Sequence, residues 1–509
     1  MFTYAKMHAN RPQPRRPWTN TWNATKLSPM CPTIHPPYDP SLMSEDCLYL
    51  NVYTPRTSAT DPKLYPVMLW FHGGSFSDGS ASMYPEKGIL QNLVNRGIVV
   101  VTFNYRIGPL GFWYSGSSEG SGNYGLHDQL QALLWTREEI RNFGGDPDQI
   151  SIAGESAGAT GISLLTLSPL SKGLYKQIIL ISGSSFDPWA VSRTTKRRDG
   201  DTRIAQILGC LPTSQTSAQT TATNRNRRLP NAVAQHQAAQ QAIGAANAET
   251  AGIRASDQLS DPNSWLGLFK SMKDSVDGWL AGINLEIPEP VKATVEDGWK
   301  KVVETVEDGQ LTDVRNILNS GSNTMVECMR ALPIEQIMRA QAQEAAKVPF
   351  RSSWIPRSDG SFLPKSLEEL AKDRDPANVL IGTTNDEAAS LFFSEDAEQM
   401  PMTPDDVSAV LTTHFDQPDQ FTNIDSLLTA LNYQYISLPL ESDPSQAHAL
   451  SGRFWFGQAV KVLSAAKRWI PSFKDTTAFV DKGSSVYLFS FDYVSNSTLF
   501  PKGWTGKIF

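Results

Sequence analysis

The chain has 509 residues, 40% of them hydrophobic and only 19% charged, a globular composition with ample apolar material for a large core. A formal net charge of −7 argues against nucleic acid as a main partner. No apolar run approaches the roughly 18–20 residues that span a bilayer, and the N-terminal stretch MFTYAKMHANRPQPRRPW lacks the apolar segment of a secretory signal.

The first features along the chain are the sequon Asn23-Ala24-Thr25 and two of four cysteines, Cys31 and Cys47; Cys210 and Cys328 follow, and a second sequon, Asn496-Ser497-Thr498, lies near the end. Four cysteines allow three pairings, and none has the C-x-x-C spacing of a zinc or redox site. PVMLWF (66–71) reads as a buried strand running into His72-Gly73-Gly74, and GIVVVTFNY (97–105) as another. Apolar residues at 130, 133, 134, 140 and 143 have helical spacing, with Asp128 as the expected N-cap and Gly144-Gly145 as the stop. ISIAG (150–154) and QIILIS (177–182) are further strands. Strands alternating with helices predict an α/β fold with a mainly parallel sheet.

From 211 to about 264 the chain has no Phe, Trp or Tyr, and Ala, Gln, Thr, Asn and Ser dominate. Such a segment buries too little to hold a fold alone. Its basic cluster Arg225-Asn226-Arg227-Arg228 reads as solvated loop charge. Phe269, Met272, Val276, Trp279 and Ile283 then form one helical face, which Ser264 could cap. Residues 211–325 are therefore expected to be an insertion in a single domain covering 1–509. NVLIG (378–382) and SSVYLFSFDY (484–493) return to strand character.

Chemistry is suggested by Gly154-Glu155-Ser156-Ala157-Gly158, set after a strand and before a helix. A serine in G-x-S-x-G at such a junction matches a nucleophile elbow. The sharp turn strains the serine backbone, and glycines on either side remove side chains that would collide with strand and helix. The competing reading is a structural serine in a tight turn. FHGGSF (71–76) offers glycine-lined backbone N–H groups of the kind an oxyanion hole needs, or an ordinary glycine turn.

Several longer stretches settle the comparison. SEDCLYLNVYTP (44–55), FHGGSF, NYRIGPLGF (104–112), GNYGLHDQ (122–129), FGGDPDQISIAGESAGA (143–159) and LSPLSKGLYKQIILISGSS (167–185) resemble the type-B carboxylesterase and cholinesterase family of α/β hydrolases. The resemblance runs from about 17 to 209 and from about 326 to the end. It implies an α/β-hydrolase fold with helices on both faces of the sheet, and carboxylic ester hydrolysis through a serine acyl-enzyme. Ser156 would be the nucleophile, and Gly74, Ser75 and Ala157 the oxyanion donors. Many relatives have glycine where Ser75 stands. The acid would be Glu387 in IGTTNDEAAS, with Asp386 as a substitute.

The base is missing. Of seven histidines, His72 lies in the oxyanion segment, His127 begins a helix, His236 lies in the insertion and His8 and His35 precede the sheet; His414 and His448 fall between Glu387 and the last strand. Each reads as structural. In the family, the catalytic histidine follows the strand that VYLFSFDY resembles, and early strands precede the stretch near RPQPRRPW, so the expectation is a chain incomplete at both ends whose histidine lies beyond Phe509. A full transcript continuing without a histidine there would defeat it.

The resemblance also implies the pairs Cys31–Cys47 and Cys210–Cys328, the first closing a short loop worth roughly 3 kcal/mol. Two disulfides place the protein in a secreted or ER-lumenal setting. Cholinesterases hold choline with a tryptophan in the first cysteine loop. Here that loop has Tyr38 and no Trp, which disfavours choline esters. Phe76, Trp189 and Phe350 are candidate walls of an acyl pocket, or plain core. The expected partner is a small-molecule ester, with no cofactor, metal, nucleic acid or transmembrane segment. Two alternatives remain open: a silent, neuroligin-like adhesion module binding a protein partner, and a lipase whose amphipathic insert is an interfacial lid.

Overall fold

The computed structural model describes residues 11–13, 19, 21, 23–34, 40–55, 63–116, 120–192, 199–211, 321–345, 354–384, 387–388, 402–415, 423–442 and 452–491. Residues 212–320 of the expected insertion, with its expected helical face at 269–283, lie outside them, as do Tyr38, Phe350, Asp386, Asn496 and His8, His35, His236 and His448. All elements below belong to the unit made of Met1–Pro212 and Ser322–Phe509.

Seven strands form one sheet: β1 (Leu50–Tyr53), β2 (Tyr65–Phe71), β3 (Val99–Phe103), β4 (Gly145–Glu155), β5 (Gln177–Ile181), β6 (Asn378–Thr384) and β7 (Ser485–Phe491). Their order is β1-β3-β2-β4-β5-β6-β7. Only β1 is antiparallel to its neighbour; every other pairing is parallel. The apolar runs explain this placement. All five residues of β3 are buried, as a strand covered on both faces requires. β1, with half-buried residues throughout, carries no such run, and its pairing with β3 is not legible locally.

The sheet is packed by helices Tyr124–Glu139 and Ala157–Leu167 on β2 and β4, and by Ile470–Val480 on β6 and β7. Phe71 and Phe103 meet edge to face at 4.9 Å, fully buried beside Ile152, Ile162 and Leu165. Burying side chains of this size is worth roughly 1.5–3 kcal/mol each. A second cluster, built on Val407, Leu411, Trp455 and Leu463, joins the later helices.

One sequence expectation is corrected here. The helix starts at Tyr124, so Asp128 is not its N-cap but lies one turn inside; the cap position is Asn123. Asp128 is instead spent on a tertiary contact. Its carboxylate accepts the Arg106 main-chain N–H at 3.0 Å and the guanidinium at 2.7 Å on each oxygen. Both side chains are buried. The structure pairs Cys31 with Cys47 and Cys210 with Cys328, across separations of 16 and 118 residues.

Neutralising Asp128 takes from the buried Arg106 guanidinium the carboxylate that balances its charge. Asp128→Asn is expected to destabilise the protein by about 3–5 kcal/mol, read from the midpoint of urea unfolding. An unchanged midpoint would show that the guanidinium finds another partner.

Candidate functional site

At the C-terminal end of β4 the backbone turns sharply into the helix Ala157–Leu167. Ser156, at the corner, has φ 54° and ψ −124°, a conformation a side-chain-bearing residue adopts only under constraint. The surroundings supply that constraint. A Cβ on Gly158 would lie 2.2 Å from Phe71 O, one on Gly154 2.9 Å from the same oxygen, and one on Gly183 2.2 Å from Ser156 O. Ser156 N–H donates to Ile181 O at 2.8 Å, and Thr160 N–H to Ser156 O at 2.9 Å. The corner is thus clamped between the ends of β2 and β5.

The second turn follows β2. Gly74, Ser75 and Phe76 all have positive φ, at 113°, 54° and 57°. Ser77 and Asp78 N–H close it onto Gly74 O at 2.9 and 2.8 Å, and Gly108 N–H holds Phe76 O at 2.7 Å. The turn presses on the elbow: a Cβ on Gly73 would sit 3.2 Å from Ser156 Cβ and 2.5 Å from Glu155 Oε2. Ala157, first residue of its helix, has an N–H outside the i→i−4 ladder. Gly74, Ser75 and Ala157 therefore belong to the two backbone turns that converge on Ser156.

His72 locks the turn from behind. Its ring stacks on Tyr105 at 4.1 Å, its Nδ1–H is placed to donate to Gly73 O at 2.9 Å, and the Tyr105 hydroxyl donates to His72 O at 2.8 Å. Burial lowers its pKa to about 4, so the ring is neutral near pH 7. His127 packs edge-on to Phe362 at 5.2 Å and is likewise lowered to about 4, chiefly by burial. Neither ring has a hydrogen bond to Ser156 among the described residues.

Glu387 lies just past β6. Its Oε1 accepts the Thr384 N–H at 2.6 Å and the Ser182 hydroxyl. Ser182, at φ 54°, follows Ile181, whose carbonyl holds Ser156 N–H, so elbow and carboxylate are joined through the end of β5. Glu387 Oε2 lies 3.9 Å from Arg468 Nε. Arg468 is bound at 2.8 Å to Asp187, whose pKa is pushed up to about 7 by burial, with Arg468 opposing. Glu155 is exposed as a residue, but its carboxyl is packed against Gly73. Desolvation raises its pKa, Arg468 opposes and Glu387 adds to the rise.

Phe76 and Trp189 come together, with ring centres 5.9 Å apart, and Arg468 lies 5.0 Å over Trp189. Phe76 also meets Phe112 at 5.0 Å and is fully buried, so it is core as much as wall. Among the described residues no group of three or more His, Cys, Asp or Glu could hold a metal ion. Ser182, Asp187 and Arg468 escaped the sequence reading. The signal for Ser182 was its place directly after a strand; Arg468 had none.

A family model described as the carboxylesterase family matches residues 6–253 and 305–507, most of the chain. This chain belongs to the carboxylesterase family. Among similar proteins, gut esterase 1 of Caenorhabditis briggsae is 41% identical over 205 residues, covering 39% of this chain and 35% of that protein. Bile salt-activated lipase of Bos taurus is 40% identical over 223 residues, 42% of this chain and 36% of the lipase. Acetylcholinesterase of Danio rerio is 40% identical over 217 residues, 40% and 34% of the two chains. Each match spans about a third of the relative's length. The seven-stranded, mostly parallel sheet is the α/β-hydrolase fold of this family.

The strain at Ser156 is measurable. Ordinarily alanine stabilises more than glycine by restricting the unfolded chain, but at φ 54° the order reverses. Ser156→Gly is expected to be more stable than Ser156→Ala by about 1–2 kcal/mol in chemical denaturation. Equal stability, or the usual order, would mean that the corner is relaxed.

Proposed function

We propose that this protein hydrolyses carboxylic esters through an acyl-enzyme formed on Ser156. The observation that carries the reading is the strained corner itself: a hydroxyl-bearing residue is held at φ 54° where glycine would be unstrained. Strain of this kind, of order 1–3 kcal/mol, is typical of reacting residues. It supports a hydrolase over a silent adhesion module, for which a glycine would serve better.

In this mechanism Ser156 Oγ attacks the ester carbonyl. The main-chain N–H groups of Gly74, Ser75 and Ala157 receive the negative charge of the tetrahedral intermediate, already oriented before the reaction begins. A serine at position 75 keeps the N–H that a glycine would supply. Serine at its ordinary pKa is a weak nucleophile and needs an adjacent base. An imidazole from outside the described residues takes its proton and returns it to the leaving alcohol. Glu387, steadied by Thr384 N–H and the Ser182 hydroxyl, orients that imidazole and offsets its charge. Water then releases the acid. His72 and His127 are already committed to buried packing, which supports a third histidine as base.

The substrate is a small ester with an aryl or short acyl group, with Phe76 and Trp189 as walls on the acyl side. The first cysteine loop has no tryptophan, which speaks against choline esters. The two disulfides favour an oxidising compartment, secreted or lumenal. No described helix is long and apolar enough to cross a membrane. A lid role for the insertion rests on residues outside those described.

The test is labelling of the full-length protein with a fluorophosphonate, followed by peptide mapping. Label on the peptide holding Ser156, lost in Ser156→Ala, is the expected result. With an aryl acetate, Glu387→Gln is expected to lower kcat by about 10⁴-fold, as when a buried acid no longer fixes its imidazole. Absent label, or label on another residue, would overturn the proposal.

A further inference from the structure

Arg468 stands where three features of the site meet. Its Nη1 is 2.8 Å from Asp187 Oδ2 and its Nε is 3.9 Å from Glu387 Oε2; its guanidinium lies 5.0 Å over the Trp189 ring. The side chain is only 18% exposed, and the carboxylates it faces are 0% and 8% exposed. A buried pair of this kind is seldom a net gain in stability, because desolvation offsets the attraction. The Asp187–Arg468 pair is also imperfect as a structural device: Asp187 Oδ1 is buried with no hydrogen-bond partner among the described residues. What the pair does achieve is to hold one cation at a set distance from Glu387.

We propose that Arg468 is a positioning residue of the hydrolase: anchored on Asp187, it fixes the free oxygen of Glu387 and sets the field at the imidazole that Glu387 orients. This rests on the ester-hydrolase reading. Glu387 uses Oε1 for Thr384 N–H and the Ser182 hydroxyl, which leaves Oε2 as the oxygen turned to Arg468. The groups facing this carboxylate are known from each element around it. Glu155 comes from the elbow, and Asp187 with Ser182 from the segment after β5. Thr384 comes from β6, and Arg468 from the π-helical segment Ala465–Trp469 that runs into the helix Ile470–Val480. Asp475, on that helix, acts on Asp187 but is itself held by Arg374 at 2.8 Å. Among the described residues, Arg468 is thus the cation shared by three carboxylates, Glu155, Asp187 and Glu387.

The sign of the effect follows. A protonated imidazole beside Glu387 is favoured by negative and disfavoured by positive surroundings. Removing Arg468's charge stabilises the protonated base, so a higher pH is needed to free it. Removing Asp187's charge does the reverse. The burial-raised pKa of Asp187, about 7, is in keeping with a carboxylate that depends on Arg468 for its charge.

The experiment follows the rate of fluorophosphonate labelling of Ser156 against pH in the full-length protein and in Arg468→Gln, Arg468→Lys and Asp187→Asn. Each variant is first checked for native circular dichroism. The expected result is an acid limb moved up by about 1 pH unit in Arg468→Gln, moved down in Asp187→Asn, and close to the unmutated position in Arg468→Lys. A purely structural role would lower the melting temperature and leave the limb in place. Coincident limbs in the folded variants therefore overturn the proposal while Ser156 still labels. If Arg468→Gln does not fold, Asp187→Asn carries the test alone: a downward shift supports the proposal and no shift overturns it. Absence of label in the unmutated protein at every pH is a separate failure, of the hydrolase reading itself.

Discussion

The site depends on the close approach of two strand ends, those of β2 and β5, to the corner at the end of β4. Ser156 can hold φ 54° only because Phe71, at the end of β2, and Ile181, at the end of β5, bring main-chain atoms against it. That approach leaves no room for a Cβ at 73, 154, 158 or 183. The glycines are thus consequences of sheet geometry: parallel neighbours in register deliver their C-terminal ends to the same edge. The strain is balanced by the packing of the sheet around it, in which Phe71, Ile152 and Leu180 are fully buried.

Around the corner, charge is handled by burial as much as by pairing. Glu387 acts on both Glu155 and Asp187, and all three carboxylates feel Arg468. In a low-dielectric setting each such interaction is stronger than at the surface, and less screened by salt. The same burial keeps His72 neutral, so the ring beside the turn at Gly74–Phe76 adds packing without adding charge.

The disulfides connect this arrangement to the rest of the unit. Thr33, two residues after Cys31, donates its hydroxyl to Ser77 O at 2.9 Å, so the first disulfide loop braces the turn that carries Gly74 and Ser75. The second bridge joins Cys210 to Cys328 across 118 positions. Because closure entropy grows only slowly with loop length, closing so long a stretch costs little more than closing a short one.

Much of this was open to reading along the chain. β2, β3, β4, β5, β6 and β7 each announced themselves as apolar runs, and the elbow as a serine between two glycines, because strand burial and tight turns are set by neighbours in sequence. The family could be recognised for the same reason: its motifs are short, local and ordered. Asp128 shows the limit. A helix cap and a buried ion-pair partner look alike until Arg106, 22 residues away, is placed against it. Ser182 and Glu387 meet across 205 positions, and Arg468 and Asp187 across 281. Such contacts have no local signature, since a side chain's partner is chosen by which strand ends share an edge. Composition and local pattern therefore determined the layers and the strained serine corner. Only the folded sheet decided which acid, cation and aromatic ring surround it, because it alone brings distant parts of the chain within the few ångströms over which hydrogen bonds and buried charges act.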